Sequence, residues 1–161
     1  MIEVVEHAAD KRFICRDILD DLPEWFGIAE AKDAFVEAVA ALPMLACRRD
    51  GQVVGFLSIK QHTASAAEVY VIGVKRRWHR RGCGRGLLVE CERWALDRDI
   101  ALLTVKTLAP ANPDPNYAAT RKFYEAFGFL PIEVFPTLWD SRNPCLLMVK
   151  PLRAVETNSK G

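Results

Sequence analysis

Apolar and polar residues follow two different periods along this chain, and each change of period marks an element. Residues 2–6 (IEVVE) read as a short strand. From Asp10 to about Leu22, DKRFICRDILDDL places Phe13, Ile14, Ile18 and Leu22 at helical spacing, with Asp10 as the N-cap. Pro23 and Gly27 break that pattern and leave Trp25 and Phe26 in a connection. Ala31, Ala34, Phe35, Ala38, Val39 and Leu42 then predict a helix over about 29–42, stopped by Pro43.

The next stretch, MLACRRDGQVVGFLSIKQH, predicts a hairpin, because Asp50-Gly51 suits the positive φ angles of a tight turn. AEVYVIGVK, from about Ala67 to Lys75, is too rich in β-branched residues for a helix. A helix with Leu87, Leu88, Cys91, Trp94 and Ala95 on one face follows, then a strand over 101–108 and the proline-rich loop APANPDPN. A helix over about 117–127 ends at Gly128, and strands over about 129–135 and 145–150 close the pattern. The segment FPTLWDSRNP reads as the connection between those last two strands. No repeat, low-complexity block or linker interrupts the chain. The expectation is one α/β domain over 1–152 and a flexible tail over 153–161.

Charge narrows the function. Lys and Arg total 22 against 21 Asp and Glu, so a general polyanion binder is disfavoured and no nucleic-acid partner is expected. The five cysteines (Cys15, Cys47, Cys83, Cys91, Cys145) are scattered without a CxxC pair. They read as reduced thiols in a cytoplasmic protein, Cys91 being buried in its apolar run. Three scattered histidines give no metal-ligand spacing, so no metal is expected. No apolar run approaches the roughly 20 residues that span a bilayer, so no membrane association is expected.

Against that balanced background one stretch stands out, VKRRWHRRGCGRGLL, residues 74–88. Gly82, Gly84 and Gly86 fall where a strand ends and a helix begins. Small residues let the backbone approach a ligand, and the free N–H groups of a helix N-terminus favour a phosphate. Arg80, Arg81 and Arg85 add side-chain charge. The spacing fails both the Walker pattern and the dinucleotide fingerprint. A glycine-rich turn with solvated arginines stays open on this stretch alone.

The stretch resembles the acetyl-CoA loop of the GNAT family of N-acetyltransferases, Arg/Gln-x-x-Gly-x-Gly/Ala after a strand ending in valine. Counting from Gly82 and Gly84 puts His79 where the family prefers Gln or Arg; counting from Gly84 and Gly86 puts Arg81 there. The first is preferred, because Leu87 then takes the family's first buried helix position. NYAATRKFYEAFGF, residues 116–129, resembles the family's C-terminal signature, an Asn before a helix ending in Tyr-x-x-x-Gly-Phe. The family's Asn lies seven residues before the Tyr; here Asn116 lies eight before Tyr124, and Tyr117 takes the strict position.

The resemblance implies a mixed α/β sheet of six to seven strands, splayed into a V and flanked by about four helices. It implies acetyl-CoA as acyl donor, a small-molecule or peptide amine as acceptor, and homodimers as a common state. For the site it implies Tyr124 as general acid to the departing thiolate. A phenol of pKa about 10 is protonated at neutral pH; a core aromatic is the alternative, a role Phe123 and Phe127 can fill. Glu68 takes the place of a catalytic base found in some members, acting directly or through water. It shares strand parity with Tyr70, Ile72 and Val74, and an ordinary strand-edge carboxylate or water alone are the alternatives. A main-chain N–H on Ile72-Gly73-Val74 would hold the oxyanion, Gly73 suggesting a bulge. His79 through Gly86, with Asn116, would hold the donor, Cys83 giving an amide rather than a nucleophile. Trp25, Phe26 and Trp139 are candidates for the acceptor site, or else loop anchors. A non-catalytic acyl-CoA-binding module is the competing reading.

Overall fold

The computed structural model describes residues 1–152, so the tail expected over 153–161 lies outside the described residues. In chain order the elements are β1 (Ile2–Val5), α1 (Ala8–Asp20), α2 (Ala29–Val39), β2 (Met44–Arg49), β3 (Gln52–Gln61), β4 (Ala66–Val74), a short 3-10 turn (Arg76–Trp78), α3 (Cys83–Leu96), β5 (Leu102–Leu108), α4 (Pro115–Phe127), β6 (Leu130–Asp140) and β7 (Asn143–Pro151). The seven strands form one sheet in the order β1-β2-β3-β4-β5-β7-β6. Only β4 and β5 run parallel, as the mixed sheet requires for a strand-helix-strand crossover through α3.

Local chemistry accounts for most of the turns. Asp50 (φ 50°) and Gly51 (φ 76°) make the β2–β3 hairpin with two successive positive φ values. Gly128 (φ 105°) ends α4 in the left-handed conformation that a Cβ would disfavour. Asp114 caps α4: its side chain accepts from the Asn116 N–H at 2.8 Å, and Pro115 supplies the first helical position. The helix therefore starts two residues earlier than its apolar period indicates.

The sheet carries a core on each face. Ile18, Leu19 and Val39 of α1 and α2 pack on Met44 and Phe56. On the other face Leu87, Leu88 and Cys91 of α3, with Tyr124 of α4, pack on Leu57, Ile59 and Leu103. Each such fully buried aliphatic side chain contributes about 1.5–3 kcal/mol. Helix α1 begins at Ala8 with His7 before it and no side-chain cap, so Asp10 lies in the first turn rather than capping it. Phe13, although at helical spacing, is 71% exposed; Ile14, Cys15, Ile18 and Leu19 form the buried stripe instead.

Two further expectations are corrected. The segment FPTLWDSRNP is not a loop: β6 runs through Trp139 to Asp140, whose carboxylate accepts from the N–H groups of Arg142 (2.8 Å) and Asn143 (2.9 Å) and folds a tight hairpin into β7. The cysteines are not all reduced. Cys47 of β2 and Cys83 at the start of α3, 36 residues apart in sequence, form a disulfide with Cα atoms 6.2 Å apart, while Cys15, Cys91 and Cys145 are free and buried. The packing of α3 across β2 and β3 decides that pairing. Among the described residues no helix is long and apolar enough to cross a membrane.

Candidate active site

The glycine turn is built from the end of β4 outward. After Val74 the chain makes the 3-10 turn, passes Arg80 at φ 59°, and reaches Gly82 at φ 86°, the N-cap of α3. No side chain caps that helix, and the N–H groups of Cys83, Gly84 and Arg85 have no acceptor among the described residues; the first bond of the turn is from Gly86 to Gly82. A phosphate oxygen would meet unpaired donors and the positive end of a helix dipole there.

The three glycines have different reasons. Gly82 needs its left-handed φ. A Cβ on Gly84 would lie 3.1 Å from Cζ of Phe123, so that glycine sets how closely α3 and α4 approach. A Cβ on Gly86 would meet only Ile2, at 3.6 Å, an ordinary contact. The backbone thus singles out Gly82 and Gly84, and Leu87, one residue past the third glycine, is fully buried. His79 donates from Nε2 to the carbonyl oxygen of Val74 at 2.6 Å and sets its ring edge-on to Trp25, with centroids 5.7 Å apart.

Beyond residue 68 the parallel strands part. Pairing between β4 and β5 covers only Ala66–Glu68 with Leu102–Thr104, while β5 stays paired with β7 along its length. The β3–β4 register shifts between Ser58 and Ile59, which pair with Val71 and Val69 and leave Tyr70 as an extra residue. The bulge is therefore at Tyr70, not Gly73. It also corrects the parity of the strand: Tyr70 and Val71 both face α1 and α2, whereas Ile72 and Val74 face α3. Gly73 is small because a Cβ would meet Ile18 at 3.1 Å and Leu22 and Phe56 at 3.3 Å.

A cleft of about 1350 Å³ runs through the opening. Ile72, Gly73, Val74, His79, Arg80, Gly82, Gly84 and Arg85 line it from the β4–α3 side, and Asn116 and Tyr124 from α4. Trp25, Phe26 and Trp139 also line it. Arg81 does not; its guanidinium lies 5.5 Å from the Trp78 ring centroid. Cys83 is turned into its disulfide, and Gly86 faces Ile2 rather than the cleft.

Tyr124 is 5% exposed, between Phe123 and Phe129, and no protein group among the described residues accepts from its hydroxyl. Burial, with a smaller push from Tyr117, raises its pKa well above the ordinary phenol value, so the hydroxyl keeps its proton at every physiological pH. Across the opening, Thr107 of β5 also lines the cleft with a buried hydroxyl that has no partner among the described residues.

Glu68 lies at the closed end of the V, behind the cleft wall. It is 5% exposed, and its carboxylate accepts from His62 Nε2 at 2.6 Å and from Lys106 Nζ at 3.3 Å. Lys106, a lone cation in the apolar strand LLTVKTL, does line the cleft and links Glu68 to it. Neither partner is apparent from sequence spacing, since one comes from the β3–β4 turn and the other from β5. Trp25 is tied at both ends: its indole N–H donates to Thr120 Oγ1 at 3.1 Å, and its carbonyl accepts from the Tyr117 hydroxyl at 2.7 Å. The signal was Tyr117 itself, which stands where the resembling motif has its Asn and is occupied with holding the α1–α2 connection.

A mixed sheet opened between two parallel strands, with an uncapped glycine-bounded helix at the opening, is the architecture that the resemblance implies. The family model described as "Acetyltransferase (GNAT) family" matches residues 11–129, and the chain belongs to that family. Solved structures agree in fold. A protein assigned to the GNAT family from Desulfovibrio desulfuricans superposes with a TM-score of 0.80 at 18% identity, covering 95% of this chain and 100% of that one. The ribosomal-protein-S18-alanine N-acetyltransferase from Escherichia coli gives 0.76 at 18% identity, covering 98% of each chain. An aminoglycoside 6'-N-acetyltransferase complexed with coenzyme A gives 0.75 at 16% identity, covering 96% and 98%. No curated protein sequence matches this chain.

Proposed function

We propose that this chain, as a single domain over 1–152, transfers the acetyl group of acetyl-CoA to a primary amine bound in the same cleft. One observation carries the reading: the uncapped N-terminus of α3 and the partnerless hydroxyl of Tyr124 open into one cavity, at the point where β4 and β5 separate. The N–H groups of Cys83, Gly84 and Arg85, with the side chains of Arg80 and Arg85, suit the pyrophosphate of the donor. The open edges of β4 and β5, including Thr107 and Asn116 beside them, suit its amide-bearing arm.

In the transfer, the amine nitrogen forms a bond to the carbonyl carbon as the carbon–sulfur bond breaks. Tyr124 gives its proton to the departing sulfur, and the proton lost by the amine passes through water to Glu68. A main-chain N–H of Ile72–Val74 donates to the developing oxyanion. Lys106 and His62 hold the Glu68 carboxylate in place. Trp25 anchors the α1–α2 connection over the cleft rather than serving as a free acceptor contact. The expected cytoplasmic setting keeps thiols reduced, and the Cys47–Cys83 bond would be the exception there.

The test is release of free CoA from acetyl-CoA, followed with a thiol reagent, against a panel of primary amines. Amine-dependent release is expected. Tight acetyl-CoA binding without release for any amine would overturn the reading in favour of a non-catalytic binding module.

A further inference from the structure

Resting on the acyltransfer reading, we infer that the acceptor is a primary monoamine carrying an aromatic or branched apolar group, and not a polycation. Away from the glycine turn the cleft wall is a continuous line of rings. Phe26 meets Phe35 edge-on at 5.8 Å between centroids, and Phe35 meets Tyr70 at 5.5 Å. Tyr70 belongs to this wall because it is the bulged residue of β4 and turns toward α2. From β6, Leu138 and Trp139 also line the cleft, and they are 56% and 49% exposed. Large apolar side chains left this open beside a line of rings have surface to bury against an apolar ligand.

The charges favour a monoamine over a polycation. Among the described residues lining the cleft there are three carboxylates, Glu24, Asp114 and Asp140. Glu24 is paired with Arg76, while Asp114 and Asp140 keep their charge and are oriented by the main-chain N–H of Asn116 and those of Arg142 and Asn143. Glu68 behind the wall is taken by His62 and Lys106. Five lysines and arginines line the same cleft, and of these Arg80, Arg85 and Lys122 have no carboxylate partner among the described residues. Such a field draws in a polyanionic donor and gives a polycationic acceptor few free carboxylates to pair with. A single ammonium, which loses its charge before attack, meets rings.

The experiment compares phenethylamine with spermidine and kanamycin at fixed ionic strength, reading CoA release. Burying a phenyl group is worth on the order of 10- to 100-fold, so kcat/KM is expected to be at least about ten-fold higher for phenethylamine. Phe35→Ala should remove most of that advantage while leaving the KM for acetyl-CoA unchanged, and Phe35→Leu, which keeps the volume, should retain part of it. Faster turnover of either polycation would overturn the acceptor class and leave acyl transfer standing. No release with any of the three amines, or any in the wider panel, would overturn both.

Discussion

Nε2 of His79 donates to the main-chain carbonyl of Val74 across 2.6 Å, so the turn that leaves β4 is tied back to the strand's last residue. The free amides of α3 and the Ile72–Val74 segment are thereby held in one frame. His79 departs from the Gln or Arg of the resembling motif, yet it supplies a donor, as either would.

That bond predicts a donor-binding defect. A hydrogen bond of this kind is worth about 1 kcal/mol, so His79→Ala should raise the KM for acetyl-CoA by about five-fold, with kcat little changed. His79→Gln should recover most of the loss. Steady-state kinetics decide it, and an unchanged KM in the alanine variant would remove the positioning role.

Tyr124→Phe should lower kcat by about 10²–10⁴, the range for a lost proton donor, with acetyl-CoA affinity near wild type. Because burial raises the pKa of this phenol, Tyr124 should contribute no limb to the kcat profile below about pH 10. Glu68→Gln should depress kcat/KM, because the amine then loses its proton to water alone. A kcat unmoved by the phenylalanine would take Tyr124 out of the mechanism, and an unchanged kcat/KM in Glu68→Gln would leave water alone as base.

The glycines should separate cleanly. Gly86→Ala has room and sits within a helix, so it should preserve activity and stabilise by roughly 0.5–1 kcal/mol. Gly84→Val drives into the Phe123 ring and should disturb α4, raising the KM for acetyl-CoA and lowering kcat through the neighbouring Tyr124. Parallel thermal unfolding and kinetics of the two variants provide the comparison. Equal tolerance at both positions would contradict the α3–α4 contact.

Tyr117 should make stability fall in alkali. Burial first, and Asp114 second, push its phenol from 10.0 up to about 12. The folded state thus holds a proton that the unfolded chain has released between about pH 10 and 12, so unfolding becomes easier as pH rises through that window. Urea midpoints across it should drop less steeply in Tyr117→Phe. At neutral pH that variant should lose about 1 kcal/mol with its bond to the Trp25 carbonyl.

Alkylation under denaturing, non-reducing conditions should leave Cys47 and Cys83 unmodified and label Cys15, Cys91 and Cys145. In the chain-entropy model, closing a 36-residue separation contributes up to about 4 kcal/mol, so reduction should lower the unfolding midpoint. Mass spectrometry showing five labelled thiols would refute the pairing.

Local signals were legible in the chain where one residue's chemistry settles them. Asp50-Gly51 dictated a hairpin, Gly128 a helix end, and the β-branched run before Val74 a strand. The glycine turn was legible as a strand-to-helix junction, and Tyr124 stood out through the resemblance of residues 116–129 to the family's C-terminal signature. Tertiary structure decided the rest. The bulge at Tyr70 comes from its pairing with β3 and reverses the faces of Ile72 and Val74, which a two-residue period cannot foresee. Glu68 reads as an open strand-edge carboxylate until the turn bearing His62 and the strand bearing Lys106 close on it. Trp25 becomes an anchor only when α4 brings Thr120 and Tyr117 to it, 92 to 95 residues on. Periodicity records which way each side chain points within its own element; which side chains then meet depends on how the sheet splits and how the helices cross it.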